Sequence, residues 1–310
     1  MKVLFMGTPD IAAASLKKLL CDGYEVVGAV TQPDKPKGRG HKLMPPPVKE
    51  LAEAENIPVY QPEKLKNGEL LPVLEELQPD IIAVVAYGKI LPEYILKYPK
   101  FGCINMHASL LPKYRGAAPI QWSVINGEKT TGVTTMLMDK GLDTGDMLIK
   151  REIEIGLYET SEELFERIAV LGAEVLSETL KNIKNILPEK QNHDEHTYAP
   201  IITKEMGAID WNKNPVIISK LVCGMNSWPL AYTYYKGEVM KVIEARLGEE
   251  NNSEDYGKIL GFKKGKGLEV QCQNGTLYIT KIQFAGGKKL AVEEYLKGHT
   301  IDAGEYFTCE

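Results

Sequence analysis

Residues 80–87, DIIAVVAY, form a run in which no polar side chain interrupts the stretch from Ile81 to Ala86. A strand with one wet face alternates apolar and polar residues. One that is apolar throughout is covered on both faces, as parallel strands packed between helices are. The segments on either side fit this reading. Before it come KVLFMG (2–7), a helical PDIAAASLKKLLCDG (9–23) closed by Gly23, YEVVGAVT (24–31), a polar loop, and the helical PPVKELAEAEN (46–56). After it comes another strand, GCINMH (102–107). Alternating strands and helices predict an α/β fold with a doubly wound, mostly parallel Rossmann-like sheet. Ligands bind such sheets beyond the carboxyl ends of the strands. Asn105 and His107 fall at that end.

The second half reads differently. A helix is predicted from Thr160 to about Ile186, opened by a Thr160/Glu163 capping box, with Leu164, Ile168, Leu171, Val175 and Leu180 as its core stripe. After Pro188 the chain turns polar and aperiodic, so we expect a first domain over 1–189, a linker over 190–206 and a second domain over 207–310. His193 and His196 enclose two acids in that linker, but no further ligand motif accompanies them, and solvated chain is the expectation rather than a metal site. Beyond Gly207 short strands and turns prevail, with Asn274-Gly275 between apolar runs as a hairpin signal. That pattern suits a smaller C-terminal OB-like β-barrel.

Bulk composition narrows the classes. Hydrophobic content of 44% and charged content of 25% are ordinary for a globular chain of 310 residues, a length that favours two domains. No apolar run approaches the roughly 18 residues that span a bilayer. The sequence opens directly on a predicted strand, so no separate leader segment is expected. Its five cysteines are scattered and never at metal-ligand spacing, so a reducing, cytoplasmic setting is expected. The net charge of −5 argues against a protein that simply coats nucleic acid, and the segment from Gly207 onward is neutral, so a polyanion would have to be met by local patches.

Chemistry concentrates in three places. In the first, side chains two apart on a strand project together, so Asn105 and His107 share a face and Met106 takes the other. A carboxamide beside an imidazole suits attack on a carbonyl: the amide donates to the developing oxyanion and the imidazole handles a proton. A pair of satisfied polar groups at a strand end is the plainer alternative. The second place is GVTTMLMDKGLDTGDML (132–148), where Asp143 sits in a glycine-flanked loop able to bring a carboxylate against the histidine. Such a carboxylate fixes an imidazole's tautomer and favours its protonated form; a solvated acidic turn is the competing reading. No nucleophile of the acyl-enzyme type is evident, which leaves direct transfer between two bound substrates. The first βα turn, GTPD, lacks the dinucleotide fingerprint, and Pro9 removes an N–H a pyrophosphate would use, so no nicotinamide is expected. The third is TQPDKPKGRGHKLMPPP (31–47), far longer than the usual 2–6 residues of a βα loop. Lys35, Lys37, Arg39 and Lys42 face one acid, Asp34, and the glycines and prolines argue against regular structure. A basic loop at this edge suits phosphates, with a solvated lid as the alternative. FKKGKG (262–267) and GGKK (286–289) could extend that surface.

Together with FMGTPDIAAASLKKLL, AYGKILP, INMHASLLPKYRGAAPIQWSVINGE, TYAPIITKEMGAIDW and NSWPLAYT, these segments resemble the methionyl-tRNA formyltransferase family over nearly the whole chain. The Asn-x-His and downstream Leu-Asp pattern belongs to 10-formyltetrahydrofolate-using enzymes at large; the basic loop and second domain point to the tRNA branch. The resemblance implies catalytic residues Asn105, His107 and Asp143, folate contacts at Ser109, Leu110, Leu111 and Pro112, tRNA contacts from Lys35, Lys37, Arg39 and Lys42, and no metal. It implies formyl transfer from 10-formyltetrahydrofolate, as co-substrate, to methionyl-initiator tRNA by a monomeric enzyme of the bacterial cytoplasm, with no membrane partner. Two departures are small: Ser227 in GMNSWP stands where the family pattern has proline, and His41 where it often has lysine. The alternatives are a formyltransferase for a small amine, such as a ribonucleotide or a nucleotide-linked amino sugar, and an inactive RNA-binding relative.

Overall fold

The run at 80–87 supplies the central strand of a seven-stranded sheet in the computed structural model, which describes residues 1–37 and 42–309. The strands are β1 (Lys2–Gly7), β2 (Glu25–Val30), β3 (Val59–Tyr60), β4 (Ile81–Val85), β5 (Cys103–His107), β6 (Thr130–Leu137) and β7 (Met147–Glu154), in the order β7-β6-β5-β4-β1-β2-β3. Pairing is parallel from β3 through β5, and β6 runs antiparallel to β5. The chain steps outward through β2 and β3, then crosses back to lay down β4 and β5 beyond β1. All five residues of β4 and Val3–Met6 of β1 are buried, as the unbroken apolar runs require.

Helices α1 (Asp10–Cys21), α2 (Pro47–Ala54), α3 (Leu71–Leu77), α4 (Glu93–Leu96) and α5 (Pro119–Ile125) lie between successive strands from β1 to β6, and α6 (Ser161–Asn182) follows β7. α1 ends where Gly23 adopts φ +79° and sends its N–H to Leu20 O while Tyr24 N–H reaches Leu19 O. The predicted capping box opens α6: Thr160 N–H donates to Glu163 Oε2 at 2.8 Å and Glu163 N–H to Thr160 Oγ1 at 3.2 Å. A Cβ on Gly172 of α6 would lie 2.8 Å from Met106 Cε and Sδ, so Met106 fills the helix-covered face of β5. The alternation of the strand then sends Asn105 and His107 to the opposite face.

The loop at 31–47 is more regular than its glycines and prolines suggest. Lys35–Lys37 pairs with Lys42–Met44 as an antiparallel ribbon. In a two-stranded ribbon each strand is an edge, so the N–H that Pro36 lacks need not be missed. Arg39 and His41 lie outside the described residues.

The chain divides into two compact units, Met1–Pro119 with Thr131–Ile153 and Phe165–Ala199, and Ile120–Thr130 with Glu154–Leu164 and Pro200–Glu310. The second holds α7 (Pro215–Gly224) and an antiparallel sheet of β8 (Ala231–Tyr235), β9 (Glu238–Leu247), β10 (Ile259–Lys263), β11 (Gly267–Cys272) and β12 (Gly275–Phe284), in the order β8-β9-β12-β11-β10. The predicted hairpin joins β11 to β12, with Asn274 at φ +63°. Strand pairing does not close this sheet into a barrel: β8 and β10 remain its two ends among the described residues. The C-terminal tail covers both edges instead, through the Tyr234–Thr308 and Lys258–Tyr306 bridges. No described helix is long and apolar enough to cross a membrane.

Candidate active site

His107 ends β5 and is 6% exposed. Its Nε2 lies 2.9 Å from the carbonyl oxygen of Tyr114. A carbonyl only accepts, so Nε2 carries the proton of that bond. Nδ1 is therefore the nitrogen left to gain or lose a proton, and it stands 3.6 Å from Asp143 Oδ2. Asn105 is half-buried on the same face, and no described residue claims its carboxamide.

Asp143 arrives from the loop after β6, where its own backbone is left-handed at φ +53°. The three acids of that loop have separate jobs. Asp139 Oδ1 accepts from Gly141 N–H at 2.9 Å and Thr144 Oγ1 at 2.6 Å, which folds the turn. Asp146 gives its main-chain oxygen to Leu137 N–H. Asp143 alone reaches the imidazole, and its Oδ2 also accepts from Gly116 N–H at 2.8 Å. The site thus joins three segments that composition treats separately: 105–107, 114–116 and 141–146.

A fourth segment is unforeseen. Residues 191–199, placed in the predicted linker, pack onto the site. Tyr198–Ala199 pairs with Arg115–Gly116, and Tyr114 N–H donates to Thr197 Oγ1 at 2.8 Å. Gln191 is buried, donating to Asp143 O and Gly145 O and accepting from the buried Arg115. His193 contacts Arg115 at 3.1 Å, so it is no bystander, although no cluster able to hold a metal occurs among the described residues. Nothing in the polar, aperiodic string KQNHDEHT marks Gln191; only its tertiary partners do.

Within Ser109-Leu110-Leu111-Pro112, Ser109 and Leu111 are buried and Leu110 and Pro112 half-buried. Ser109 Oγ donates to Lys113 O at 2.7 Å. Thr134 ties the segment down from β6, donating to Ser109 O at 2.7 Å and accepting from Leu111 N–H at 3.1 Å. Leu111 packs with Met136 and Met147. Ser109 and Leu111 therefore shape the segment, and Lys113 N–H closes it onto Leu110 O. In the 86–92 turn, Tyr87 O accepts from Gln32 Nε2 at 3.1 Å and Thr8 Oγ1 at 3.3 Å. Burial pushes the Tyr87 phenol up to about 12.

At the base of the ribbon, Lys49 pairs with Asp34 at 2.9 Å and Gln61 Nε2 donates to Asp34 Oδ1 at 2.8 Å. The Gln61 amide, then Lys49, hold the Asp34 carboxyl below the usual carboxylate range. The only acid of the loop is thus neutralised from outside it, and Lys35 is exposed.

Residues 1–180 match the formyl transferase family and residues 201–300 the formyl transferase C-terminal domain. The methionyl-tRNA formyltransferase of Caldanaerobacter subterraneus is 54% identical over 98% of this chain and 99% of that protein. That of Clostridioides difficile is 51% identical with the same coverage. Among solved structures, the sugar 3N-formyl transferase WlaRD, crystallised in the presence of dTDP and 5-N-formyl-THF, superposes with a TM-score of 0.67 at 18% identity, covering 93% of this chain and 99% of that one. HypX from Aquifex aeolicus, in complex with tetrahydrofolic acid, gives 0.60 at 18%, covering 99% of this chain and 51% of that one. At that identity the likeness is one of fold. The sequence relatives go further: the chain belongs to the methionyl-tRNA formyltransferase family.

Proposed function

We propose that the chain transfers the formyl group of 10-formyltetrahydrofolate to the α-amine of methionyl-initiator tRNA, using Asn105, His107 and Asp143. The observation that carries this is the His107–Asp143 pair, with the imidazole tautomer set by Tyr114 O, beside the unclaimed carboxamide of Asn105. The amine nitrogen forms a bond to the formyl carbon, giving a tetrahedral oxyanion. Asn105 donates to that oxygen, a stabilisation realised mainly in the transition state. His107 Nδ1 moves the proton released by the amine, with the Asp143 carboxylate supporting the imidazolium. The bond from the formyl carbon to N10 then breaks, N10 is protonated, and the amide remains on the methionyl group.

Leu110, Pro112 and the 86–92 turn form the folate side of this site in our reading, with Thr134 holding the segment. The loop cations Lys35, Lys37, Arg39 and Lys42 meet tRNA phosphates. The second unit, whose open sheet has tail-covered edges, is read as an OB-like module for the same tRNA. Division into a domain over 1–189 and another over 207–310 goes with these two roles.

The test is transfer of labelled formyl from the folate donor to methionyl-tRNA, to free methionine and to nucleotide-linked amino sugars. Transfer to methionyl-tRNA far above the small amines is expected. Equal or greater transfer to a small amine would overturn the assignment of acceptor, and no transfer to any of them would overturn the enzyme.

A further inference from the structure

We infer that Gln191 is a positioning residue for Asp143, acting through the main chain of the 143–145 turn and itself oriented by Arg115. This rests on the role proposed above for Asp143. Gln191 is 5% exposed although it sits in a polar run. Its carboxamide is fully engaged. Nε2 donates to Asp143 O and Gly145 O, both at 2.8 Å. Oε1 accepts from Arg115 Nε at 3.0 Å and Nη2 at 2.6 Å. The amide cannot be reversed, because the carbonyls on one side only accept and the guanidinium on the other only donates.

Arg115 is 3% exposed and makes no ion pair among the described residues. A buried guanidinium is costly unless its N–H groups are used. Here two of them fix the Gln191 oxygen, and Nη2 also meets His193 Nδ1 at 3.1 Å. Orientation of the amide is what this arrangement secures.

The turn needs an external tie. Asp143 occupies the left-handed region, unfavourable for a residue with a Cβ. Gly145 is pressed onto Leu137 O so closely that a Cβ would lie 1.8 Å away. Two carbonyls of this strained turn converge on one amide, so removing its N–H₂ leaves both unpaired. The carboxylate would keep its bond from Gly116 but lose the main-chain anchor that sets its distance from His107. A misplacement of an ångström costs on the order of 10²-fold in rate.

Gln191→Glu is the informative variant, with Gln191→Ala beside it. Glutamate has the same size and still accepts from Arg115, but it offers the two carbonyls an oxygen instead of N–H₂. The full chain is assayed for single-turnover formyl transfer to methionyl-tRNA at saturating substrates, for KM for tRNA, for binding of tetrahydrofolate and for melting. Expected is a loss of about 10–100-fold in the single-turnover rate, with KM, folate binding and the melting of the glutamate variant close to wild type. In an Asp143→Asn background the same change should cost no more than about twofold further, because both remove one interaction. A wild-type rate in Gln191→Glu, or a fully additive loss in the double variant, overturns the inference. A wild-type rate in Asp143→Asn alone overturns the underlying role of Asp143, and it is read without any change at 191.

Discussion

Tyr114 and Gly116 hold the two ionisable groups of the site from one short backbone segment: Tyr114 O accepts from His107 Nε2 at 2.9 Å, and Gly116 N–H donates to Asp143 Oδ2 at 2.8 Å. Both ties are main-chain, so the imidazole and the carboxylate are registered to each other by the spacing of one backbone segment. That segment is in turn paired with Tyr198–Ala199. The distance between the two groups is thus built partly into a ladder, with the buried Gln191 amide anchoring the turn that carries Asp143.

His107→Ala and Asp143→Asn should therefore damage the chemical step and spare binding. Loss of a positioned proton-handling group costs about 10²–10⁴-fold. We expect single-turnover rates reduced by that order for His107→Ala, with tetrahydrofolate affinity and tRNA KM little changed, since the interactions removed matter most in the transition state. Near-normal single-turnover rates in either variant would remove these residues from the mechanism.

Gly116→Ala tests the ladder itself. Gly116 sits at φ +116°, and a Cβ there would come 2.8 Å from Ala199 O. Strain in such a backbone region costs about 1–3 kcal/mol, and the clash adds to it by pushing the 198–199 strand away. A lowered melting temperature together with a slower chemical step is expected. A variant that melts like wild type and turns over normally would show that the 115–116 pairing does not set the geometry.

The sheet was legible because β1 and β4 are buried on both faces, and such strands must be apolar at every position. Asn105 and His107 were legible for the converse reason, as polar side chains ending an apolar run, and Asp143 because glycines flank it. Gln191 and Arg115 were not. Burial of a glutamine or arginine depends on partners far away in sequence, 48 residues for Gln191 to Asp143 and 76 for Arg115 to Gln191, and no local period records them. The ribbon was misjudged because proline and glycine exclude a central strand but not a two-stranded edge. Barrel closure was not legible, because short strands and turns specify hairpins, whereas closure depends on which strands meet at the ends.

A second-unit carboxylate offers a pH test. Glu269 is 5% exposed on β11. Burial alone would push its carboxyl up, but bonds from Lys263 at 2.8 Å, Tyr278 Oη at 2.9 Å and Thr276 Oγ1 at 3.2 Å overcome that and hold it below the usual glutamate value of 4.5. A carboxyl depressed on folding contributes stability that is fully present above 4.5 and is lost as pH falls through the folded value. Glu269→Gln should be less stable than wild type at neutral pH, and the gap in unfolding free energy should narrow below that value. A gap that stays constant from pH 7 to acid would mean the Lys263 pair carries no net stabilisation.

The ribbon at 35–44 can be tested through salt. Each lysine or arginine that meets a phosphate releases about one counterion, so affinity falls with salt by a slope of roughly 0.7–0.9 per phosphate met. Asp34, the loop's own acid, is already matched by Lys49 and Gln61 at the base. Replacing Lys37, Arg39 and Lys42 by alanine should raise the tRNA KM and flatten the slope of log affinity against log salt by about 0.7–0.9 for each phosphate no longer met. Tetrahydrofolate binding should hardly move, because Thr134, Ser109 and Leu111 keep their bonds and packing in the variant. Binding of tRNA at several salt concentrations, for the wild type and the triple variant side by side, decides the matter. An unchanged slope would reduce the ribbon to a solvated lid and move the tRNA-binding surface elsewhere, with FKKGKG at 262–267 and GGKK at 286–289 the next cations to replace.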